Sequence, residues 1–541
     1  MIPLELMPLL MFGGLVVFML IGYPVAFSLA AVGFFFGFLA MDFGYFSLSF
    51  MQAIPLRVYS SILSNDLLLA IPFFTFMGTI LERCGLAEDM LDSMGQLFGP
   101  IRGGLGYSVI IVGFILGAIT GTVAAQVIAM ALISLPVMMR YKYNTRYAMG
   151  VLAASGTITQ LVPPSLVLIV LADQLGRSVG DMYLGAWGPS LLQIALFALY
   201  TFAVSLVRPE WVPAVPKSDL TLTGWALIRK CLWGIVPSAV LIFLVLGTMM
   251  MGLATPTEAG AMGAVGAILL AVIHRRDLGR VGRAAFVIGS AAALIAIAIG
   301  FYAFKSPPFK IAIGVTYLAI AWLLIEAVRI PALWQLLKQA FTTTMRITAM
   351  VAFILIGSTC FSIVFQGVDG GRWIEHLLTS LPGGVWGFLI FVNLFVFFLA
   401  FFLDFFEIAF IIVPMLAPVA QKVLTPIVGA DAALIWFGVM LCVNMQTSFM
   451  HPPFGFALFY LRGVVPKEIK SADIYWGAVP WVLLQVIMVV VVIAFPALVT
   501  TLLGAPSAVD PTKIEINIPP PEESTDNPAS EIERQLNQQR Q

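Results

Sequence analysis

The chain has 541 residues, of which 60% are apolar and only 10% charged, against about a quarter charged in an ordinary soluble domain. Its 28 basic and 28 acidic residues cancel, and its mean hydropathy is +1.01. These values exclude a soluble globular enzyme, a disordered protein and a nucleic-acid binder, and they leave a chain that crosses a membrane many times. A crossing helix needs about 20 mostly apolar residues. Such stretches occur at 7–22, 24–41, 106–118, 122–139, 147–172, 185–207, 234–252, 258–273, 284–304, 311–328, 346–366, 384–403, 405–421, 432–449 and 474–502. They are too numerous for one anchor and too long for barrel strands. The predicted class is an all-α polytopic membrane protein, because backbone groups in lipid must be bonded within the chain.

The first stretch lacks a basic leader region and a following A-x-A site, so it reads as a retained helix. Two loops are rich in cations. One carries Arg140, Lys142 and Arg146; the other, 274–283, carries Arg275, Arg276, Arg280 and Arg283. Both are expected on the cytoplasmic side. From about Gly504 the chain turns polar, with Pro519, Pro520 and Pro521 and a Gln-rich end, and a disordered tail is expected there. Cys84, Cys231, Cys360 and Cys442 have no CxxC spacing and read as apolar packing residues. Neither they nor His274, His376 and His451 suggest a metal cage, and no Walker, G-x-S-x-G or H-E-x-x-H motif is present. No enzyme chemistry and no cofactor are expected.

The chain repeats itself. Pro163-Pro164 matches Pro452-Pro453 at an offset of 289, and Asp181-Met182-Tyr183 matches Asp473-Ile474-Tyr475 at 292. Leu191-Leu192-Gln193 matches Leu483-Leu484-Gln485 at the same 292. Further back, Gly103 falls on Gly383 and Gly78 on Gly357, so the offset drifts slowly as small insertions would make it. Two related units are predicted, 57–207 and 333–502. Around them lie N-terminal helices at 1–56, connecting helices at 208–280, an inserted hairpin at 281–332 and the tail at 503–541. Internally repeated membrane proteins are commonly transporters whose sites lie at mid-depth on interrupted helices in matching places of the two halves.

A Pro-Pro pair removes two amide donors and breaks a helix. Free carbonyls at a break suit Na⁺, and helix N-termini suit carboxylates. Val162-Pro163-Pro164-Ser165 and His451-Pro452-Pro453-Phe454 make such breaks at equivalent positions. Small polar residues precede each: Ser155, Gly156, Thr157, Thr159 and Gln160 in one unit, Asn444, Gln446, Thr447 and Ser448 in the other. The run Gly117-Ala118-Ile119-Thr120-Gly121-Thr122 is a second candidate unwound point, and the repeat sets Thr122 opposite Asp404. Asp404 and Glu407 lie in a very apolar run, three apart, and share a face if that segment is helical. Three readings stay open for them: ion coordination, proton coupling or a structural salt bridge. Gly78-Thr79 and Gly357-Ser358-Thr359 read as tips of re-entrant hairpins or as close-packing sites.

Five stretches together resemble the large membrane subunit of the TRAP (tripartite ATP-independent periplasmic) transporters. They are AIPFFTFMGTILERCGLAEDML (70–91), GAITGTVAAQVIAMALISLPVM (117–138), ASGTITQLVPPSLVLIVLADQLG (154–176), MGLATPTEAGAMGAVGA (251–267) and NMQTSFMHPPFGFALFYLRGV (444–464). The resemblance implies a sodium-coupled, elevator-type importer of small carboxylates in a bacterial inner membrane, built on an inverted repeat. It implies two partners, a small four-helix membrane subunit and a periplasmic substrate-binding protein. Carried onto this chain, one cation region would involve Gly117, Thr120, Gly121, Thr122, Gly156 and Thr157. A second would involve Asp404, Asn444 and Thr447, with Gly357 and Ser358 as further candidates. The substrate would lie between, at Ser155, Pro163, Pro164, Ser165, Asn444, Gln446, Ser448, Pro452 and Pro453. The insertion at 281–332 and His451, a titratable group beside the second Pro-Pro, depart from the family pattern. Other readings are a stand-alone organic-anion symporter and a membrane subunit of an ion-pumping redox complex, although intramembrane ionisable residues are sparse for the latter.

Overall fold

The computed structural model describes residues 3–504 apart from 223, 275–280, 283, 290, 293–294, 296–306, 402 and 452–454. The Arg275–Arg280 run, much of the inserted hairpin, the Pro452-Pro453 pair and nearly all of the polar tail therefore lie outside the described residues. Among the described residues, ten helices are long and apolar enough to cross a membrane. There are twelve if the bent pairs Leu48–Leu63 with Asp66–Arg83 and Gly370–Thr379 with Gly384–Leu399 each count as one.

Helices α1 (Met7–Ile21) and α2 (Val25–Asp42) open the chain. Then come α3 (Ala70–Arg83), α4 (Leu86–Phe98), α5 (Gly104–Thr120), α6 (Val123–Arg140), α7 (Thr145–Thr157), α8 (Leu166–Leu175) and α9 (Val179–Val207). The connecting helices are α10 (Gly224–Met250), α11 (Pro256–His274) and α12 (Pro307–Arg329), the last being the described arm of the insertion. The second half contains α13 (Pro331–Gly367), α14 (Gly370–Thr379), α15 (Gly384–Leu399), α16 (Phe405–Val428), α17 (Ala430–Met445), α18 (Phe456–Val464) and α19 (Ser471–Ala494). The order from α3 to α9 recurs from the C-terminal part of α13 to α19. In both halves a short helix follows the first, a left-handed glycine (Gly103 or Gly383) starts the next, and the fifth ends in a tight 3-10 turn before a break.

Lipid offers helices no hydrophobic reason to associate, so small residues that let backbones touch decide which helices meet. A β-carbon at Gly357 of α13 would fall 2.2 Å from the Ala26 carbonyl oxygen of α2, and one at Gly33 would fall 3.0 Å from Cys360 backbone atoms. Gly78-Thr79 and Gly357-Ser358-Thr359 thus lie inside continuous helices and are not hairpin tips. The packing alternative describes Gly357. Thr79 Oγ1 and Ser358 Oγ donate back to Thr75 O (2.8 Å) and Leu355 O (3.1 Å) of their own helices.

The repeated halves approach closely where α7 meets α19. A β-carbon at Gly150 would sit 2.1 Å from Gly477 O, and one at Gly477 would sit 2.2 Å from Arg146 O. Trp481 fills the rest of this crossing, against Phe197 and Tyr200 at centroid distances of 5.0 and 5.1 Å. Gly477→Val forces these backbones apart and is expected to destabilise the protein by about 1–3 kcal/mol, the usual range for overpacking. In detergent it should melt below wild type, whereas Gly13→Ala, with nothing within 4 Å, should not. Equal melting of the two variants would contradict this packing.

Candidate functional site

Each half places a turn of chain against a broken helix. In the first half α5 and α6 run side by side in opposite directions, because Gln126 Nε2 of α6 donates to Gly113 O of α5 at 2.7 Å. A continuous helix would hold residues thirteen apart about 20 Å from each other. The run 117–122 is therefore the tip of a helical hairpin. Gly117 is still helical, the turn is made by Gly121 at φ +60, and Thr122 is extended and precedes α6. Gln126 also donates to Ser155 O at 2.9 Å, which ties the hairpin to α7. Glycines bring backbones together here: a β-carbon at Gly113 would lie 2.7 Å from Ser155 Cβ, and one at Gly117 would lie 3.2 Å from Thr159 Cα. At Gly156 it would fall 2.1 Å from Val127 Cγ2. Gly117, Gly121, Gly156 and Thr157 thus belong to one neighbourhood. Thr120 ends α5, and its side chain lies outside the described residues.

The break itself spans Leu161 to Ser165 and contains Pro163 and Pro164. Ser165 caps α8 by accepting from Val167 N at 3.2 Å, and its hydroxyl donates to Gln160 O. The hydroxyls before the break share one habit. Ser155, Thr157 and Thr159 donate to the carbonyls of Leu152, Ala154 and Gly156 at 3.0, 2.9 and 2.9 Å. In the second half Thr447 and Ser448 donate to Asn444 and Met445 carbonyls, both at 2.7 Å. A hydroxyl whose hydrogen is taken by its own helix presents only lone pairs to its surroundings. Both breaks are thus lined by buried acceptors.

The second half follows the same plan with different chemistry. Asp404 is not inside a helix. It is the extended N-cap of α16, as Thr122 is for α6, and it accepts from Phe405 N at 2.7 Å. Glu407 Oε2 accepts from Asp404 N at 3.0 Å, which completes a capping box. Among the described residues neither carboxylate takes part in an ion pair, so the salt-bridge reading is corrected. A wide turn, Ile408–Ile412, follows directly. Aromatic rings take the place of glycines: His451 lies 4.0 and 4.4 Å from the ring centroids of Phe401 and Phe397, and Phe405 faces Phe449 at 6.1 Å. Asn444 Nδ2 donates to Asn393 O at 2.8 Å and Oδ1 at 3.0 Å, while its own Oδ1 is buried without a partner. Gln446 is fully buried, and both of its amide atoms lack partners. Gly357 lies against Ala26 of α2, and Ser358 Oγ donates within its own helix to Leu355 O.

The segments that lead into the two breaks touch. Cys442 Sγ lies 3.2 Å from Gln160 O, and Thr157 Oγ1 lies 3.8 Å from Met450 Sδ. Four helix N-termini (α6, α8, α16 and α18) end in this region, and no Lys or Arg occurs in 113–126, 155–166, 397–407 or 444–456. Gln126, Asn393 and Gln485 escaped the reading of the sequence. The available signal was an amide alone in an apolar run, and for Gln485 also the repeated Leu-Leu-Gln. A separate apolar cavity of about 560 Å³, lined by Phe12, Trp373, Phe395 and Met415 among others, offers a charged solute no ligand.

Interrupted helices meeting at depth within a many-spanning chain define a membrane transporter rather than an enzyme. The family model described as the tripartite ATP-independent periplasmic transporter, DctM component, matches residues 12–305 and 283–498, and the chain belongs to that family. The C4-dicarboxylate TRAP transporter large permease protein of Rhodobacter capsulatus is 26% identical over 91% of this chain and 97% of its own. The 2,3-diketo-L-gulonate TRAP transporter large permease protein of Escherichia coli is 24% identical over 80% and 85%. The sialic acid large permease protein of Vibrio cholerae is 23% identical over 80% and 85%. The crystal structure of the Alcanivorax borkumensis YdaH transporter shares the fold, with a TM-score of 0.52 at 14% identity, over 84% of this chain and 90% of that one.

Substitution at Asp404 separates its cap from its charge. Asp404→Ala should lower the melting temperature in sodium-free buffer through loss of a cap worth about 1 kcal/mol. Asp404→Asn, which keeps an acceptor, should not. Equal losses would mean that the charge, not the cap, holds this turn.

Proposed function

We propose that this chain is the transport subunit of a sodium-gradient-driven importer of a small carboxylate, a C4-dicarboxylate, keto acid or similar organic anion, in a bacterial inner membrane. The observation that carries the reading is the set of buried hydroxyl acceptors before each break, beside four helix N-termini. The acceptors suit Na⁺, a hard cation that takes oxygen ligands. The helix ends suit a carboxylate without any arginine. One cation lies among the 117–122 tip, Gly156 and Thr157, and a second near Asp404, Asn444 and Thr447. The substrate lies between them at Ser155, Pro163, Pro164, Ser165, Gln446, Ser448, Pro452 and Pro453.

The two units, 57–207 and 333–502, are read as an inverted repeat. Arg146, at the start of α7, pairs with Asp473, at the start of α19, at 2.9 Å. Arg177, just before α9, donates to Ala430 O at the start of α17 at 3.0 Å. In the repeat α7 matches α17 and α9 matches α19, so each start meets the other unit's non-equivalent start. Glycines echo this: Gly150 lies on Gly477, while Gly185 and Gly438 meet Val439 and Met182 across the α9–α17 contact. A pseudo-two-fold axis makes that pattern, and the inverted reading sets the axis in the membrane plane. Such repeats carry alternating access as one body moves against another, here an elevator-type motion of the broken-helix units against α1, α2, α10, α11 and the first part of α13. A small four-helix membrane subunit and a periplasmic binding protein complete the system.

Melting of the purified chain with its small partner in Na⁺, K⁺ and choline at matched ionic strength tests the coupling ion. Na⁺ at a hundredfold excess over Kd should stabilise by about 2.7 kcal/mol over the other salts. Equal melting would remove the sodium reading. In cells, Asn444→Ala and Thr157→Ala should impair uptake under a sodium gradient while membrane insertion stays normal. Normal uptake in both would remove the site assignment.

A further inference from the structure

The last long helix, α19, carries one amide in an otherwise apolar stretch, Gln485. It is fully buried. Its Nε2 donates to Thr157 Oγ1 at 2.8 Å and lies 3.7 Å from Met450 Sδ, and its Oε1 has no partner. Thr157 is the last residue of α7, and Met450 sits just before His451 and the second Pro-Pro. A single side chain therefore touches the approach to both breaks. Its repeat counterpart in α9, Gln193, is equally buried, and both of its amide atoms are without partners. The same residue in the same place of the repeat makes the contact on one side only.

A hydroxyl has one hydrogen and two lone pairs. The Thr157 hydrogen goes to Ala154 O at 2.9 Å, and Gln485 takes one lone pair. Rotation of that hydroxyl breaks a bond either way, so its second lone pair is held in one direction. We propose that Gln485 is a positioning residue for the coupling cation. It fixes the acceptor of Thr157 and links that geometry to the Met450 side of the second break. The proposal rests on the sodium reading above, with Thr157 as a ligand.

Gln485→Leu frees the hydroxyl while also removing the orphaned Oε1, so the fold should survive the change. Gln485→Met, unbranched and of similar length, is the companion variant should Leu prevent folding. The measurement is a sodium titration of melting temperature on the full-length protein, read as the Na⁺ concentration that gives half of the maximal shift. Loss of one such hydrogen bond should raise that midpoint about tenfold in Gln485→Leu, the equivalent of 1.4 kcal/mol. In a Thr157→Ala background the same change should move it less than twofold. Gln193→Leu, buried equally deeply and lacking this contact, should also stay within twofold of wild type. An unshifted midpoint in Gln485→Leu, with wild type responding to Na⁺, overturns the proposal and leaves the sodium reading intact. An equal shift with and without Thr157 also overturns it, because the amide would then act through general packing. A wild type indifferent to Na⁺ overturns both.

Discussion

Lipid cannot hydrogen-bond to a backbone, and this protein interrupts helices inside lipid. Every free amide or carbonyl at a break must therefore find a partner in the protein, in water or in a solute. Much of the arrangement around the two breaks follows from that demand. The 117–122 hairpin tip is brought against the first interruption, Ser165 caps the helix that restarts there, Asp404 caps α16, and Gln126 spans from the hairpin to α7. What these bonds leave open is chemically one-sided. Hydroxyls that donate into their own helices leave acceptors behind, while restarting helices present donors. A cation and an anion are the complementary solutes.

The two halves meet the demand with different side chains. In the first, glycines at 113, 117, 121 and 156 let backbone lie on backbone, and Gln126 seals the contact. In the second, Phe397, Phe401, Phe405 and Phe449 pack around His451, and two carboxylates hold the turn. Close backbone packing is stiff, because nothing can rotate out of the way. A cluster of rings joined to the chain by single bonds moves more easily. The repeat thus pairs a tip packed on glycines with a bulkier one built from rings and two carboxylic side chains.

Among the described residues, those inserted between the halves pack away from this centre. Their described helix, α12, shows Tyr317, Leu318 and Ile325 to the outside and buries Leu323 and Ala327. It lies against the helices that flank it in sequence, and the broken helices pack as they do without its help.

The membrane-spanning class was legible from the residues alone, because it rests on local rules. Long apolar runs must be helices in lipid, Pro-Pro must break them, and drifting offsets such as Pro163 to Pro452 and Gln193 to Gln485 disclose a repeat. Local rules also marked Thr122 and Asp404 as equivalent, and both stand at the start of a helix. Distances between segments remote in sequence could not be read that way. That the candidate unwound point 117–122 is the tip of a hairpin depended on Gln126 reaching Gly113. Whether Gly357 belonged to a tip or to a packed face depended on Ala26, more than three hundred residues earlier. Asp404 and Glu407 were spaced as helix-face neighbours and became a cap because the helix starts one residue later. Composition and periodicity determined that this chain spans a membrane with two interrupted, related units. Tertiary structure alone decided which buried polar atoms find partners, because those partners come from helices that only the fold brings together.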